Sequence, residues 1–285
     1  VTVQLPMKVK SYQGQLKNIV FPCISTPKLN GVNGLFKRTG DRVLTLYSRG
    51  GEVYPEIPHL TPLIHDVMDE LNHEELNAEL YIHKEHLQDI QSAVKKPNEL
   101  SPRLTAAIFD IADSNKPYED RNLLLSELGE ALDKVGSPIL NYVSFLTGVR
   151  CNSHEDIETH YNQCMSFKLE GTVIKNLSAK YEYNVRSSNM FKYKKTLDAE
   201  YPIVDCESDK NEHPIFHCIT PEGKVFKVKP KGTDAERKQM LTNFESQYLN
   251  KWYKIEYETL SKAGIPLKPV GIGLRDCDNN GEPLV

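Results

Sequence analysis

The chain has 285 residues and a formal net charge of −4, with 39% hydrophobic and 26% charged residues. That length accommodates one large domain or two ordinary ones in a globular protein. The acidic balance excludes a protein that coats nucleic acid through bulk charge, although a clustered basic surface is still allowed. No run of about 18 apolar residues is present, so no membrane span is expected. The N-terminal segment VTVQLPMKVKSY lacks the apolar core of a signal peptide, so the expectation is an intracellular, cytoplasmic protein. Cys23, Cys151, Cys164, Cys206, Cys218 and Cys277 form no CxxC pair, which argues against a thiolate zinc site and for reduced, individually buried thiols.

In chain order, RVLTLYSRG (42–50) reads as a strand and PHLTPLIHDVMDEL (58–71) as a helix, and ELNAELYIH (75–83) and TAAIFDIAD (105–113) read as further strands. EDRNLLLSELGEALDKV (119–135) has helical spacing, with Leu124, Leu128, Ala131 and Leu132 on one face and Gly136–Ser137–Pro138 as the stop. SHEDIETHYNQCMSF (153–167) reads as a helix capped by Ser153, and GTVIKN (171–176) as a strand. From Tyr201 the pattern changes to strand-like runs, YPIVDCES, PIFHCITPEGKVFKVKPKG and KWYKIEYETLS, with one helix at 234–249. Short strands plus one helix predict a small β-barrel. The boundary falls in 197–204, giving a mixed α+β domain over 1–200 and a barrel over 201–285.

The first string with chemistry in it is Thr26–Pro27–Lys28–Leu29–Asn30–Gly31. A lysine three residues before a glycine suits a nucleophile in a tight loop where the backbone approaches a nucleotide. On its own such a string is common, and a surface lysine before a turn is the default. Further strings follow in order: Ser48–Arg49–Gly50–Gly51, Asn77–Ala78–Glu79–Leu80–Tyr81, Phe109–Asp110–Ile111 and Glu170–Gly171–Thr172–Val173–Ile174–Lys175. Arg186–Ser187, Lys192–Tyr193–Lys194 and Asp198–Ala199–Glu200 complete the series.

In these strings the chain resembles the covalent nucleotidyltransferases, and among them the ATP-dependent DNA ligases of minimal viral or phage type. The resemblance extends to the C-terminal Pro269…Gly273–Leu274–Arg275–Asp276. It implies an α+β fold in which a nucleotidyltransferase domain of antiparallel sheets with flanking helices precedes a small OB-fold barrel. It also implies a monomeric enzyme that uses ATP and magnesium to seal nicked duplex DNA through a lysyl–AMP intermediate, as in repair, replication and recombination. Lys28 would be the nucleophile and Glu170 the carboxylate that positions the metal. Glu79 would meet the ribose hydroxyl, Phe109 would stack on adenine and Thr26 would lie at its edge. Lys192 and Lys194 would hold the phosphates, and Arg49 and Arg186 would grip ribose, phosphate and later the nick. Each assignment competes with an ordinary reading, most strongly for Phe109, since a Phe in an apolar strand usually belongs to the core.

Two positions depart from the family pattern. Asn30 stands where most DNA ligases carry aspartate, and Asn33 where they carry arginine. Asn keeps the shape of Asp but loses its charge, so the resemblance implies a chain that loads AMP yet seals poorly. The alternatives are an RNA ligase of the same superfamily, a weakened nucleic-acid-binding relative, and a capping enzyme that prefers GTP. His83, His86, His213 and Cys218 lack the further partners of a metal site and are read as structural. Lys224, Lys227, Lys229 and Lys231 are expected to put three lysines on one strand face that contacts duplex phosphates.

Overall fold

The computed structural model describes residues 4–12, 16–194, 196–278 and 283, so the first three residues of the N-terminal segment lie outside the description. The chain divides into two compact units, Val1–Lys194 and Lys195–Val285. The strands of the first are β1 (Lys8–Ser11), β2 (Cys23–Lys28), β3 (Val32–Gly40), β4 (Val43–Ser48), β5 (Glu75–Tyr81), β6 (Thr105–Ile111), β7 (Val143–Phe145), β8 (Val149–Cys151), β9 (Gly171–Asn176) and β10 (Arg186–Tyr193). Its helices are α1 (Thr61–Leu71), α2 (Leu87–Lys95), α3 (Tyr118–Lys134) and α4 (His154–Ser166). These strands form two five-stranded sheets, ordered β1-β10-β9-β2-β8 and β4-β3-β5-β6-β7. Most pairings are antiparallel, as expected; β1 with β10 and β6 with β7 run parallel.

Local chemistry explains the helix ends. Ser153 caps α4 by accepting from the Asp156 N–H, and Asp156 returns a bond to the Ser153 N–H, a reciprocal capping box. Asn72, in the left-handed conformation, ends α1. Periodicity misplaces the buried face of α3. Its fully buried positions are Tyr118, Arg121 and Leu125, while Leu124 and Leu128 are only partly buried and Ala131 is exposed. The charge of Arg121 hides that face from an apolar pattern. Four of the cysteines are buried, Cys206 is half-buried and Cys277 is exposed, so the expectation of six buried thiols fails at two. Cys23 and Cys151, moreover, are not isolated: they face each other across β2 and β8.

The sheets meet through polar contacts as well as apolar ones. Tyr181 Oη donates to Asn77 Oδ1, and Tyr183 Oη donates to the Ala112 carbonyl at 2.6 Å. Deeper lies a buried charge cluster. Arg121 grips Asp110 with Nε at 2.7 Å and Nη2 at 3.4 Å, and Lys175 Nζ lies 3.5 Å from Asp110 Oδ2. All three side chains are at most 3% exposed. Burying charge is costly, and here one carboxylate balances two cations.

The second unit contains β11 (Leu197–Ser208), β12 (Pro214–Ile219), β13 (Val225–Pro230), α5 (Asp234–Thr242), β14 (Trp252–Tyr257), β15 (Thr259–Leu260), β16 (Pro266–Leu267) and β17 (Val270–Leu274). Five strands close a barrel in the order β11-β12-β13-β17-β14, the expected OB-type barrel. Strand β11 starts at Leu197, before Tyr201, because its first residues pair with β14 although Asp198 and Glu200 are charged. The helix expected over 234–249 ends at Thr242 and gives way to a wide turn at Phe244–Tyr248. Among the described residues no helix is long and apolar enough to cross a membrane.

Removing Asp110 strands two buried cations, whereas removing Lys175 leaves the Asp110–Arg121 pair intact. Asp110→Asn is therefore expected to lower the unfolding free energy by about 3–5 kcal/mol, and Lys175→Met by clearly less. Urea unfolding followed by far-UV circular dichroism reads the order, and equal losses would show that the cluster does not act as one carboxylate serving two cations.

Candidate active site

The candidate site forms where three neighbouring strands end together. Lys28 is the last residue of β2 and pairs with Gly171, the first of β9, while Lys194 directly follows β10. Between them sits Glu170, whose N–H donates to the Lys28 carbonyl at 3.0 Å. Glu170 Oε2 accepts from Lys28 Nζ, and Glu170 Oε1 accepts from Lys194 Nζ at 2.9 Å. These side chains are 12–21% exposed, accessible to solvent yet largely enclosed. Burial alone would raise the Glu170 carboxyl, but Lys28 and Lys194 outweigh it and hold it below the ordinary range.

Gly171 makes this convergence possible. Its φ of +148° is one that side chains rarely adopt, and a Cβ there would lie 2.2 Å from the Tyr193 carbonyl oxygen. Gly31 is equally constrained: a Cβ would meet the Leu80 carbonyl oxygen at 2.4 Å and Glu79 Cγ at 2.8 Å. Its N–H donates to Glu79 Oε1 at 3.1 Å. The lysine-to-glycine spacing thus has a physical basis, since the loop after Lys28 passes against β5 without room for a side chain.

Strand alternation sorts the faces. On β2, Ser25 Oγ meets His160 Nδ1 of α4 at 2.8 Å, so Thr26 and Lys28 point away from α4. On β10, Tyr193 Oη donates to Glu158 of α4, so Lys192 again points away. Thr26, Val173 and Lys192 form one row across three strands, and Lys28 and Lys194 each lie two residues beyond it. Thr26 is buried and donates to the Val173 carbonyl at 3.2 Å.

Glu79 projects from β5 and pairs in register with Asn33 of β3 and Ala107 of β6. Burial pushes its carboxyl up to about 7, against the opposing pull of Lys28 and Arg49; Glu170 adds to the rise. Glu79, Lys28, Arg49 and Glu170 therefore share one electrostatic neighbourhood, with Arg49 exposed beside it. Asn33 Oδ1 is buried without a hydrogen-bond partner. Asn30 is half-buried in the turn between β2 and β3. Phe109 is half-buried and, among the described residues, belongs to none of the apolar clusters. The core reading of its aromatic ring is overturned.

Arg186 is not brought to this group. It is exposed at the opposite end of β10 and donates to the Val9 carbonyl. Arg186 pairs with Lys8 and Lys192 with Ser11, so three residues of β1 separate the two positions by roughly 10 Å. Sequence reasoning also missed the Asp110–Arg121–Lys175 cluster, whose members lie on three different elements; the Asp beside Phe109, a lone Arg on a helix and the lysine that closes the Glu170–Lys175 string were its signals.

No group of three or more His, Cys, Asp or Glu side chains able to hold a metal occurs among the described residues. His213 instead binds Asp234 at 2.6 Å, Cys218 is buried in the barrel, and His83 meets Tyr81 Oη at 2.8 Å. In the barrel unit, Lys227, Lys229 and Lys231 are exposed as expected, but each is paired, with Glu207, Asp209 and Glu256 respectively. That face has balanced charge and is not a bare cationic stripe.

Two five-stranded sheets, with Lys28, Glu170 and Lys194 gathered at converging strand ends, and a second unit that closes a five-stranded barrel form a nucleotidyltransferase class of fold. A family model for the ATP dependent DNA ligase domain matches residues 4–194. The chain belongs to the ATP-dependent DNA ligase family. Its fold is similar to that of a Lig E DNA ligase studied for DNA binding with a minimal scaffold, at 18% identity and a TM-score of 0.73, covering 96% of this chain and 100% of that one. It is also similar to Chlorella virus DNA ligase–adenylate, at 23% identity and TM-score 0.53 over 98% of this chain and 100% of that one. The ATP-dependent DNA ligase of bacteriophage T7 in complex with ATP gives 14% identity and TM-score 0.53 over 95% of this chain and 98% of that one. No curated protein matches the chain.

The Glu79 carboxyl sets a pH dependence. Its folded value of about 7 exceeds the unfolded value near 4.5, so its contribution to stability is complete below about pH 4.5 and is lost as pH rises through about 7. Glu79→Gln is expected to flatten the decline of unfolding free energy across that window, as measured by urea unfolding at fixed ionic strength. Parallel curves for the two proteins would show that Glu79 ionises normally.

Proposed function

We propose that this chain is an ATP-dependent DNA ligase that seals nicks, with Lys28 as the nucleophile that carries AMP. The observation that carries the reading is the shared Glu170 carboxylate, which places the Lys28 amine beside a second cation, Lys194. In the first step Lys28 Nζ attacks the α-phosphorus of ATP. A P–N bond forms, the α–β phosphoanhydride bond breaks, pyrophosphate leaves and the amine loses its proton. Lys28, 21% exposed, gives that proton to solvent as the P–N bond forms. Lys194, with Lys192 one row away, stabilises charge on the phosphate oxygens. Glu79 and Asn33 offer oxygen acceptors to the ribose, Phe109 offers a surface for the base, and Thr26 lies at its edge.

Glu170 would be the protein ligand of a magnesium ion, a cation that one or two carboxylates and water suffice to hold, and such an ion would supply neutralisation of phosphate charge. In the second step AMP passes from Lys28 to the 5′-phosphate of the nick, and in the third the 3′-hydroxyl displaces AMP to close the phosphodiester. Arg49, exposed beside Glu79, would meet a phosphate, and the unit Val1–Lys194 would perform the adenylyl chemistry while the barrel unit Lys195–Val285 would bind the duplex. The uncharged Asn30 makes the later steps the slow ones.

Incubation with labelled ATP and then nicked duplex tests the reading. Lys28→Ala is expected to abolish covalent AMP labelling while sealing of a pre-adenylylated nick survives; retention of label would assign the nucleophile elsewhere. Glu170→Gln keeps the size and removes the charge, and is expected to slow AMP transfer about 10²–10³-fold. Unchanged rates at saturating magnesium would show that the carboxylate only holds the fold.

A further inference from the structure

Phe109 owes its exposure to an irregularity in β6. Ile108 pairs with Ala78 and Asp110 with the adjacent Asn77, so Phe109 is an extra residue with no partner on β5. A bulge of this kind re-aims a side chain and removes its carbonyl from the ladder. The carbonyl does not go unsatisfied, because Lys175 Nζ, from β9 of the other sheet, donates to it at 2.8 Å. The same ammonium lies 5.3 Å from the centroid of the Phe109 ring and 4.3 Å from that of Tyr118.

An ammonium is an expensive way to fill this space. Lys175 is 2% exposed, and burial pushes its amine down to about 8 against the pull of Asp110. Asp110 already has a bidentate partner in Arg121, so Lys175 is not required for charge balance. Replacing such a group by an apolar side chain of similar volume is often neutral or stabilising for the fold. Among the described residues, moreover, no apolar cluster includes the Phe109 ring. Lys175 holds its carbonyl and lies within reach of an attraction between ammonium and ring.

We propose that Lys175 is a positioning residue for nucleotide recognition, which pins the bulged backbone and ring of Phe109 so that a ring face stays presented to the base of ATP. The proposal rests on the reading of Phe109 as the base platform, which Phe109→Ala tests separately. It assigns to a buried lysine of one sheet the aim of an aromatic side chain on the other.

Single-turnover AMP labelling of the intact chain over a range of ATP concentrations tests it, using wild type, Phe109→Ala, Lys175→Met and the double variant. Lys175→Met is expected to raise the KM for ATP about three- to tenfold with little change in the maximal rate, the scale of one aromatic contact. In the Phe109→Ala background the same substitution is expected to change KM less than about twofold, because residues acting through one contact are not additive. Equal effects in both backgrounds would overturn the proposal in favour of a general structural role. A raised KM in Phe109→Ala with an unaltered KM in Lys175→Met would overturn it too, leaving the platform reading intact. An unaltered KM in Phe109→Ala would remove the platform reading itself. If Lys175→Met fails to fold, the same cycle run with Lys175→Gln decides by the same non-additivity.

Discussion

One carboxylate between two ammonium groups organises the site. Glu170 accepts from Lys28 and from Lys194, and so draws together the ends of β2, β9 and β10. Two such cations held close together repel each other, and the carboxylate between them offsets that repulsion. The arrangement suits an anionic ligand with several phosphates, because the cations are already gathered before it arrives. Gly171 allows the convergence: its backbone passes where a Cβ would strike the Tyr193 carbonyl.

A second buried charge centre serves a different purpose. Asp110, Arg121 and Lys175 join the two sheets behind the site, while Arg121 also donates to the carbonyls of Lys116 and Ala179 at 2.6 and 3.1 Å. The facing sheets are thus tied by directional bonds as well as apolar packing, which fixes their separation. Directional bonds can hold such a separation, whereas hydrophobic burial alone favours closing any gap.

Much of this was legible in the sequence because the chemistry is local. The lysine-to-glycine string, the Glu-Gly pair and the Lys-x-Lys pair each lie within a few residues, and a strand end or a tight turn holds each group together. The capping of α4 by Ser153 and the barrel strands were equally local. The rest depended on register. The bulge at Phe109 is visible only when β6 is aligned with β5, so the residues alone left the core as the competing reading for a ring that the resemblance assigned to the base. Arg186 follows the motifs in sequence, yet its place at the far end of β10 separates it from Lys192. The buried face of α3 carries Arg121, whose partner Asp110 lies on another element, so apolar periodicity pointed to Leu124 and Leu128 instead. The lysines of β13 alternate as expected, but Glu207, Asp209 and Glu256, brought in by other strands, neutralise them.

On the proposed reading, Lys28 alone among the neighbouring lysines takes up AMP. Peptide mapping by mass spectrometry after incubation of the intact chain with ATP and magnesium tests it most directly. An acid-labile AMP adduct is expected on the peptide containing Lys28, with unmodified peptides for Lys175, Lys192 and Lys194. An adduct on any of those three, with Lys28 unmodified, would contradict it.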